Sequence, residues 1–126
     1  KHHKGSVNGM ACTHDGKKLL SCGNDKSVCL WDIETGKLLY EMKGHKDKVL
    51  CVAVSPDGKI AASGSGESDN TIRLWNLETG LESKSFPLKA EKSRTVAFSS
   101  DGKTLAGLTR KGRIRLWAIT PAITNP

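Results

Sequence analysis

Three tryptophans recur along this chain at nearly constant distance. Trp31, Trp75 and Trp117 are separated by 44 and 42 residues, while Asp15-Gly16, Asp57-Gly58 and Asp101-Gly102, each followed by a lysine, are separated by 42 and 44. Two unrelated markers with a common spacing define an internal repeat, which is how a sequence encodes a fold built by stacking one small supersecondary unit. The longer steps are explained by two extra residues within 64–69 and two more between 80 and 96, stretches expected to be surface loops.

Inside one repeat the apolar residues follow a period of two: Val49-Leu50-Cys51-Val52-Ala53-Val54, then 59–63, then Thr71-Ile72-Arg73-Leu74-Trp75, then a weaker run over 81–86. Alternation of this kind marks half-buried strands, and runs so short and so close predict an antiparallel meander. Pro56-Asp57-Gly58-Lys59 links the first two strands, proline fixing one dihedral and glycine accepting a positive one. Glu34-Thr35-Gly36-Lys37 and Glu78-Thr79-Gly80 close the third hairpin in the same way. Each unit is therefore expected to be a four-stranded sheet.

Composition agrees with an all-β chain. Hydrophobic residues make up 37% of the 126, and thirteen glycines beside three tryptophans, two phenylalanines and one tyrosine suit aliphatic strands joined by tight turns. No stretch approaches the roughly 20 apolar residues of a spanning helix, so no membrane contact is expected. Cys12, Cys22, Cys29 and Cys51 stand singly, with no CxxC pair. They fit reduced thiols in cytosol or nucleus better than an extracellular disulfide framework.

Gly44-His45 opens a unit, Ser63 stands in its second strand, Asp69 precedes its third, and Leu74-Trp75-Asn76 ends that third strand; the first unit has Leu30-Trp31-Asp32 in the same place. In this order and spacing the chain resembles the WD40 repeat family over nearly its whole length. The resemblance implies a partial β-propeller of three blades: blade 1 over about 1–43, blade 2 over about 44–87, blade 3 over about 88–119, and an irregular tail at 120–126. It also implies that blade 3 lacks an outer strand of its own, because Pro121 and Pro126 disfavour one and the last blade of such propellers commonly borrows that strand from the N-terminus. Three blades are too few to close a ring of about four to eight, so the chain is expected to be the C-terminal part of a larger propeller.

The resemblance further implies a buried network joining histidine, serine, aspartate and tryptophan in each blade. His45, Ser63, Asp69 and Trp75 fill every place in blade 2; His3, Ser21, Asp25 and Trp31 do so in blade 1, with His2 where the family has glycine. Blade 3 keeps only Trp117, with Lys89 in the histidine column and Arg110 or Lys111 in the aspartate column, and its rim is expected to be less rigid. The same residue types could be read as a hydrolase triad. A nucleophilic serine needs an exposed, strained turn such as GxSxG, whereas these serines lie mid-strand and recur with the repeat, so no catalytic residue is assigned. His2, His3, His14 and Cys12 lack a ligand spacing, and Gly64-Ser65-Gly66 is too short for a phosphate loop and is expected in the loop carrying the insertion. No cofactor and no metal are expected.

An end blade leaves an apolar face bare, so the expected partners begin with the remaining blades of a propeller, from the same chain or another copy. The net charge of +7 supplies the second kind of partner. Lys92, Arg94, Arg110, Lys111 and Arg113 fall in the loops of blade 3, and Lys46 and Lys48 in a loop of blade 2, on the rim that the resemblance makes an interaction face. An acidic protein surface or peptide is read ahead of an RNA backbone, since no aromatic stands among these charges to stack on bases, and a merely solvated rim competes with both. The expected role is a non-catalytic scaffold for assembling a protein complex.

Overall fold

The computed structural model describes residues 3–66, 68–88 and 92–119. They form eleven strands and no helix. Sheet 1 holds β1 (Val7–Cys12), β2 (Lys18–Gly23), β3 (Ser27–Asp32) and β4 (Leu38–Lys43). Sheet 2 holds β5 (Val49–Val54), β6 (Ile60–Ser65), β7 (Thr71–Asn76) and β8 (Leu81–Pro87). Sheet 3 holds β9 (Ser93–Phe98), β10 (Thr104–Thr109) and β11 (Ile114–Ala118), and among the described residues it has no fourth strand. Every pairing is antiparallel between neighbours in sequence. The tail at 120–126 lies outside the described residues.

The turns explain the meander. In each Asp-Gly turn the carboxylate accepts a hydroxyl and a backbone N–H: Asp15 from Thr13 Oγ1 (2.6 Å) and Lys17 N (2.9 Å), Asp57 from Ser55 Oγ (2.6 Å) and Lys59 N (3.0 Å), Asp101 from Ser99 Oγ (2.6 Å) and Lys103 N (2.9 Å). Gly16, Gly58 and Gly102 follow at φ of 73°, 75° and 73°, where a side chain would be strained. Past the third strand, Asp32 Oδ1 accepts from the N–H groups of Glu34 and Thr35, and Asn76 Oδ1 from those of Glu78 and Thr79. Only one side-chain oxygen is used, which is why asparagine can replace aspartate here.

Register sets the three tryptophans in equivalent places. Leu19 pairs with Trp31, Ala61 with Trp75 and Leu105 with Trp117. The sheets then stack face to face. Leu20, Val28 and Leu30 of sheet 1 pack on Ala61, Trp75 and Leu77, while Ile72 and Leu74 of sheet 2 pack with Val96, Leu105 and Ile119. Burial of each such leucine or isoleucine contributes roughly 1.5–3 kcal/mol.

One expectation is corrected. Gly64 and Ser65 belong to β6 and are buried, not part of the loop that carries the insertion. A Cβ on Gly64 would lie 2.3 Å from Ser93 Oγ and 2.8 Å from Cys51 Sγ, so β9 approaches a backbone that only glycine leaves open. The loop begins at Gly66, whose carbonyl accepts from Asp69 N (3.2 Å) and Asn70 N (2.9 Å).

Candidate functional site

The β2–β3 turn, the β6–β7 turn and the segments leading into β1 and β5 meet at one rim of the stack. In sheet 2 a directional relay runs across this rim. Trp75 Nε1 donates to Ser63 Oγ (2.7 Å), the Ser63 hydroxyl donates to His45 Nε2 (2.6 Å), and His45 Nδ1 donates to Asp69 Oδ2 (2.5 Å). This direction requires a neutral imidazole with its proton on Nδ1. Burial pushes the His45 pKa below its ordinary value of 6.5, against the raising influence of Asp69. For Asp69 burial acts upward, yet the hydrogen bonds from His45, Ser65, Arg73 and Thr71 outweigh it and hold the carboxyl well below the usual range.

Ser65 Oγ (2.8 Å), Thr71 Oγ1 (3.0 Å) and Arg73 Nη2 (3.2 Å) all donate to Asp69, and Arg73 Nη1 continues to Glu82 Oε1 at 2.7 Å. None of these four residues was expected in the network from the sequence. The signal was available: Ser65 stands two residues beyond Ser63 on the same face of β6, and Thr71 opens β7 two residues after Asp69. The glycine of Gly44-His45 is explained by the same network, because a Cβ there would lie 2.9 Å from Glu82 Oε1 and 3.2 Å from the Trp75 ring.

Sheet 1 repeats the relay. Trp31 Nε1 donates to Ser21 Oγ (2.9 Å), Ser21 Oγ meets His3 Nε2 (2.7 Å), and His3 Nδ1 lies 3.0 Å from both oxygens of Asp25. Ser27 Oγ adds a bond to Asp25 at 2.9 Å. Burial raises the Asp25 pKa, but the bonds from His3, Ser27 and the Lys4 N–H carry it down to about 2. Register puts Cys29 in the place of Arg73 and Leu38 in that of Glu82, so the arginine–glutamate pair that needs a neighbouring glycine does not exist in this sheet. His2 lies outside the described residues.

Sheet 3 lacks the relay for a reason the sequence did not show. Gly107 pairs with Arg115 as Ser63 pairs with Arg73, so glycine occupies the serine column. Its missing side chain makes room for the Ile72 methyl, 2.7 Å from where a Cβ would be, and for the Trp117 ring at 3.0 Å; Trp117 also stacks on Phe86, with centroids 5.1 Å apart. Lys26 (φ 71°), Asn70 (φ 54°) and Gly112 (φ 80°) hold the same turn position in the three sheets. The residue before each is Asp25, Asp69 and Lys111, so of the two alternatives Lys111, not Arg110, fills the aspartate column. Lys89 of the histidine column lies outside the described residues.

The basic residues fall on this rim. The backbone N–H of Arg110 donates to Lys92 O (3.1 Å), and Thr109 N to Arg113 O (2.9 Å), which brings Lys92, Arg110, Lys111 and Arg113 to one corner, with Arg94 exposed at the start of β9. Lys46 and Lys48 are exposed on the adjoining loop, where Lys48 O accepts from Gly66 N (3.0 Å). Lys26 also belongs here and was missed: its charge helps depress Asp47, whose carboxyl is held low first by the N–H groups of Lys48 and Ser68. Among the described residues no ion pair uses Lys46, Lys48, Arg94, Lys111 or Arg113. Ser63 is fully buried and Ser21 nearly so. Among the described residues no group of three or more His, Cys, Asp or Glu gathers as a metal site, and no helix is long and apolar enough to cross a membrane.

Three stacked meanders, two of them carrying an indole-to-carboxylate relay at one rim, have the architecture of WD-repeat blades. The chain belongs to the WD40 family, described as "WD domain, G-beta repeat", which matches residues 1–32, 36–76 and 88–118. It forms a partial β-propeller of that family. Similar proteins include the retinoblastoma-binding-like protein E of Dictyostelium discoideum, 48% identical over 42 residues, which are 33% of this chain and 8% of that protein. The human intraflagellar transport protein 122 homolog is 41% identical over 61 residues (48% of this chain, 5% of that protein), and the Arabidopsis thaliana autophagy-related protein 16 is 35% identical over 51 (40% and 10%). The chain thus matches a small fraction of the length of each relative.

Proposed function

We propose that the chain is a non-catalytic interaction platform, part of a propeller that assembles a protein complex, and that its basic rim receives an acidic protein surface or peptide. The observation that carries this is the state of the rim's acids. Asp25 is committed to its relay, Asp69 to its relay and to Arg73, and Asp47 first to backbone N–H groups of its own loop, while Lys46, Lys48, Arg94, Lys111 and Arg113 enter no ion pair among the described residues. A concentrated positive corner attracts a negative partner and speeds its arrival. Family membership supports the platform role, and the burial of both relay serines speaks against nucleophilic chemistry there. Four free cysteines support a reducing compartment, cytosol or nucleus, for this reading.

The test is fluorescence anisotropy with a labelled glutamate-rich peptide and, separately, a single-stranded RNA of matched charge. The peptide is expected to bind and to lose roughly tenfold in affinity when Arg110, Lys111 and Arg113 are changed together to glutamine. Peptide binding indifferent to that triple change would remove this rim as the site. Tighter binding of RNA than of the peptide, with a steep dependence on salt, would instead favour the RNA-contacting reading.

A further inference from the structure

One carboxylate on the basic rim belongs to neither relay. Asp47 stands between the exposed Lys46 and Lys48 in the segment leading into β5. Each of its oxygens accepts a backbone N–H, Oδ1 from Lys48 (2.8 Å) and Oδ2 from Ser68 (3.1 Å), which fixes the group and keeps it ionised. The second bond depends on a longer turn. Residues 66–70 link β6 to β7, against 24–26 between β2 and β3. Gly66 is needed as well, since a Cβ there would lie 2.6 Å from Asp47 Oδ2. Glu67, in the same turn, lies outside the described residues. Two residues after the relay histidine, where sheet 2 has Asp47, sheet 1 has Gly5.

Sheet 2 is the middle one of the three, so this fixed negative charge divides the cations of the rim. On one side Lys26 of sheet 1 is near enough to help hold the Asp47 carboxyl low after those two N–H groups. Asn8 Nδ2 donates to Asn24 Oδ1 (2.8 Å) and to Val49 O (3.0 Å), which ties the turn of Lys26 to the start of β5. On the other side Lys92 leads into β9, whose Ser93 lies against Gly64, and the bond from Arg110 N brings the turn of Arg110, Lys111 and Arg113 beside it.

Building on the reading of this rim as a docking surface, we propose that Asp47 selects, among acidic segments, those that carry a lysine or arginine within the run. The partner's cation meets Asp47, and the carboxylates on either side of it meet Lys26 and the corner formed by Lys92, Arg110, Lys111 and Arg113. An uninterrupted acidic run would set a carboxylate against one that cannot swing away, because both Asp47 oxygens are held by the loop. Like charges brought together across an interface oppose binding, and specificity is commonly built from one such repulsive element among attractive ones. The rim thereby reads a charge pattern and not only a charge sum.

Fluorescence anisotropy of the 126-residue chain at low salt tests it, with labelled peptides that differ only at the centre of a glutamate run, where lysine, glutamine or glutamate stands. The wild type is expected to bind the central-lysine peptide roughly fivefold more tightly than the central-glutamate one, against the ranking that net charge alone would give. Glutamine should fall between them. Asp47→Asn should remove the preference and Asp47→Lys should reverse it, each with an unchanged far-UV circular dichroism spectrum. Changing Arg110, Lys111 and Arg113 together to glutamine should weaken all the peptides and leave their order intact. If a variant at Asp47 does not fold, the order of the peptides on the unaltered chain still decides. A wild type that ranks the peptides by net charge, or a preference that persists in folded Asp47→Asn, would overturn the role of Asp47 and leave the rim as a docking surface. Peptides that do not bind, or that ignore the triple change, would overturn the reading of the rim and this inference with it.

Discussion

Ser63 accepts one hydrogen bond, from the Trp75 indole, and donates another to the His45 imidazole, and so links the two rings. Ser63→Ala would leave two buried polar atoms unsatisfied and should cost about 2–4 kcal/mol, read as a lower urea midpoint. Gly107→Ser should not install a relay in sheet 3. The added Cβ meets Ile72 at 2.7 Å and the Trp117 ring at 3.0 Å, so the variant should lose roughly 1–3 kcal/mol, and a gain in thermal midpoint would contradict this. Acid should weaken the fold in two steps. Because the His45 pKa is lowered from 6.5, the unfolded chain binds a proton that the folded one resists, and stability falls as pH drops below that value. Asp25, lowered from 3.8 to about 2, contributes stability that is complete above 3.8 and is lost as pH falls towards 2; Asp69 acts in the same direction. A urea midpoint flat between pH 7.5 and 5, or one in which His45→Gln leaves the upper step unchanged, would contradict the first step. The meeting of His45, Ser63, Asp69 and Trp75 was expected only through the resemblance to the WD40 repeat, whose residues stand here in the same order. Gly107 was not, because a missing side chain leaves no mark until Arg115 is paired across from it.

Strands and turns were the most legible level. Alternating burial, Asp-Gly turns and Thr-Gly turns each depend on residues within reach of one another, so a local pattern suffices. The Gly64-Ser65 segment shows where that sufficiency stops. Its composition matches a loop, but its conformation is decided by β9, which approaches from nearly thirty residues further along the chain and needs a strand without a Cβ. The outer edge of β11 belongs to the same scale. β3 and β7 are flanked on both sides, whereas β11 pairs only with β10 among the described residues. Amides in alternate positions of β11 should exchange with deuterium well ahead of their counterparts in β3 and β7, by at least about tenfold, because edge N–H groups are open to water. Equal protection in the three strands would show that another segment covers this edge.

At the level of the whole molecule, period alone announced stacked sheets, but which charges share a surface became visible only in three dimensions. Basic residues scattered through the sequence share a rim because Lys92 and Arg110 are tied backbone to backbone. Sheet 1 carries a chemical handle. Cys12 is exposed at the end of β1, while burial pushes the Cys22 thiol up to about 12 and those of Cys29 and Cys51 to about 11. A maleimide dye added to the folded, unmodified chain should therefore attach at one position, checked by peptide mass mapping; labelling of Cys22, Cys29 or Cys51 at a comparable rate would be the contrary result. The protein thus comes equipped with a single native reporter, and the colour of the attached fluorophore will say whether the end of β1 is wet or covered.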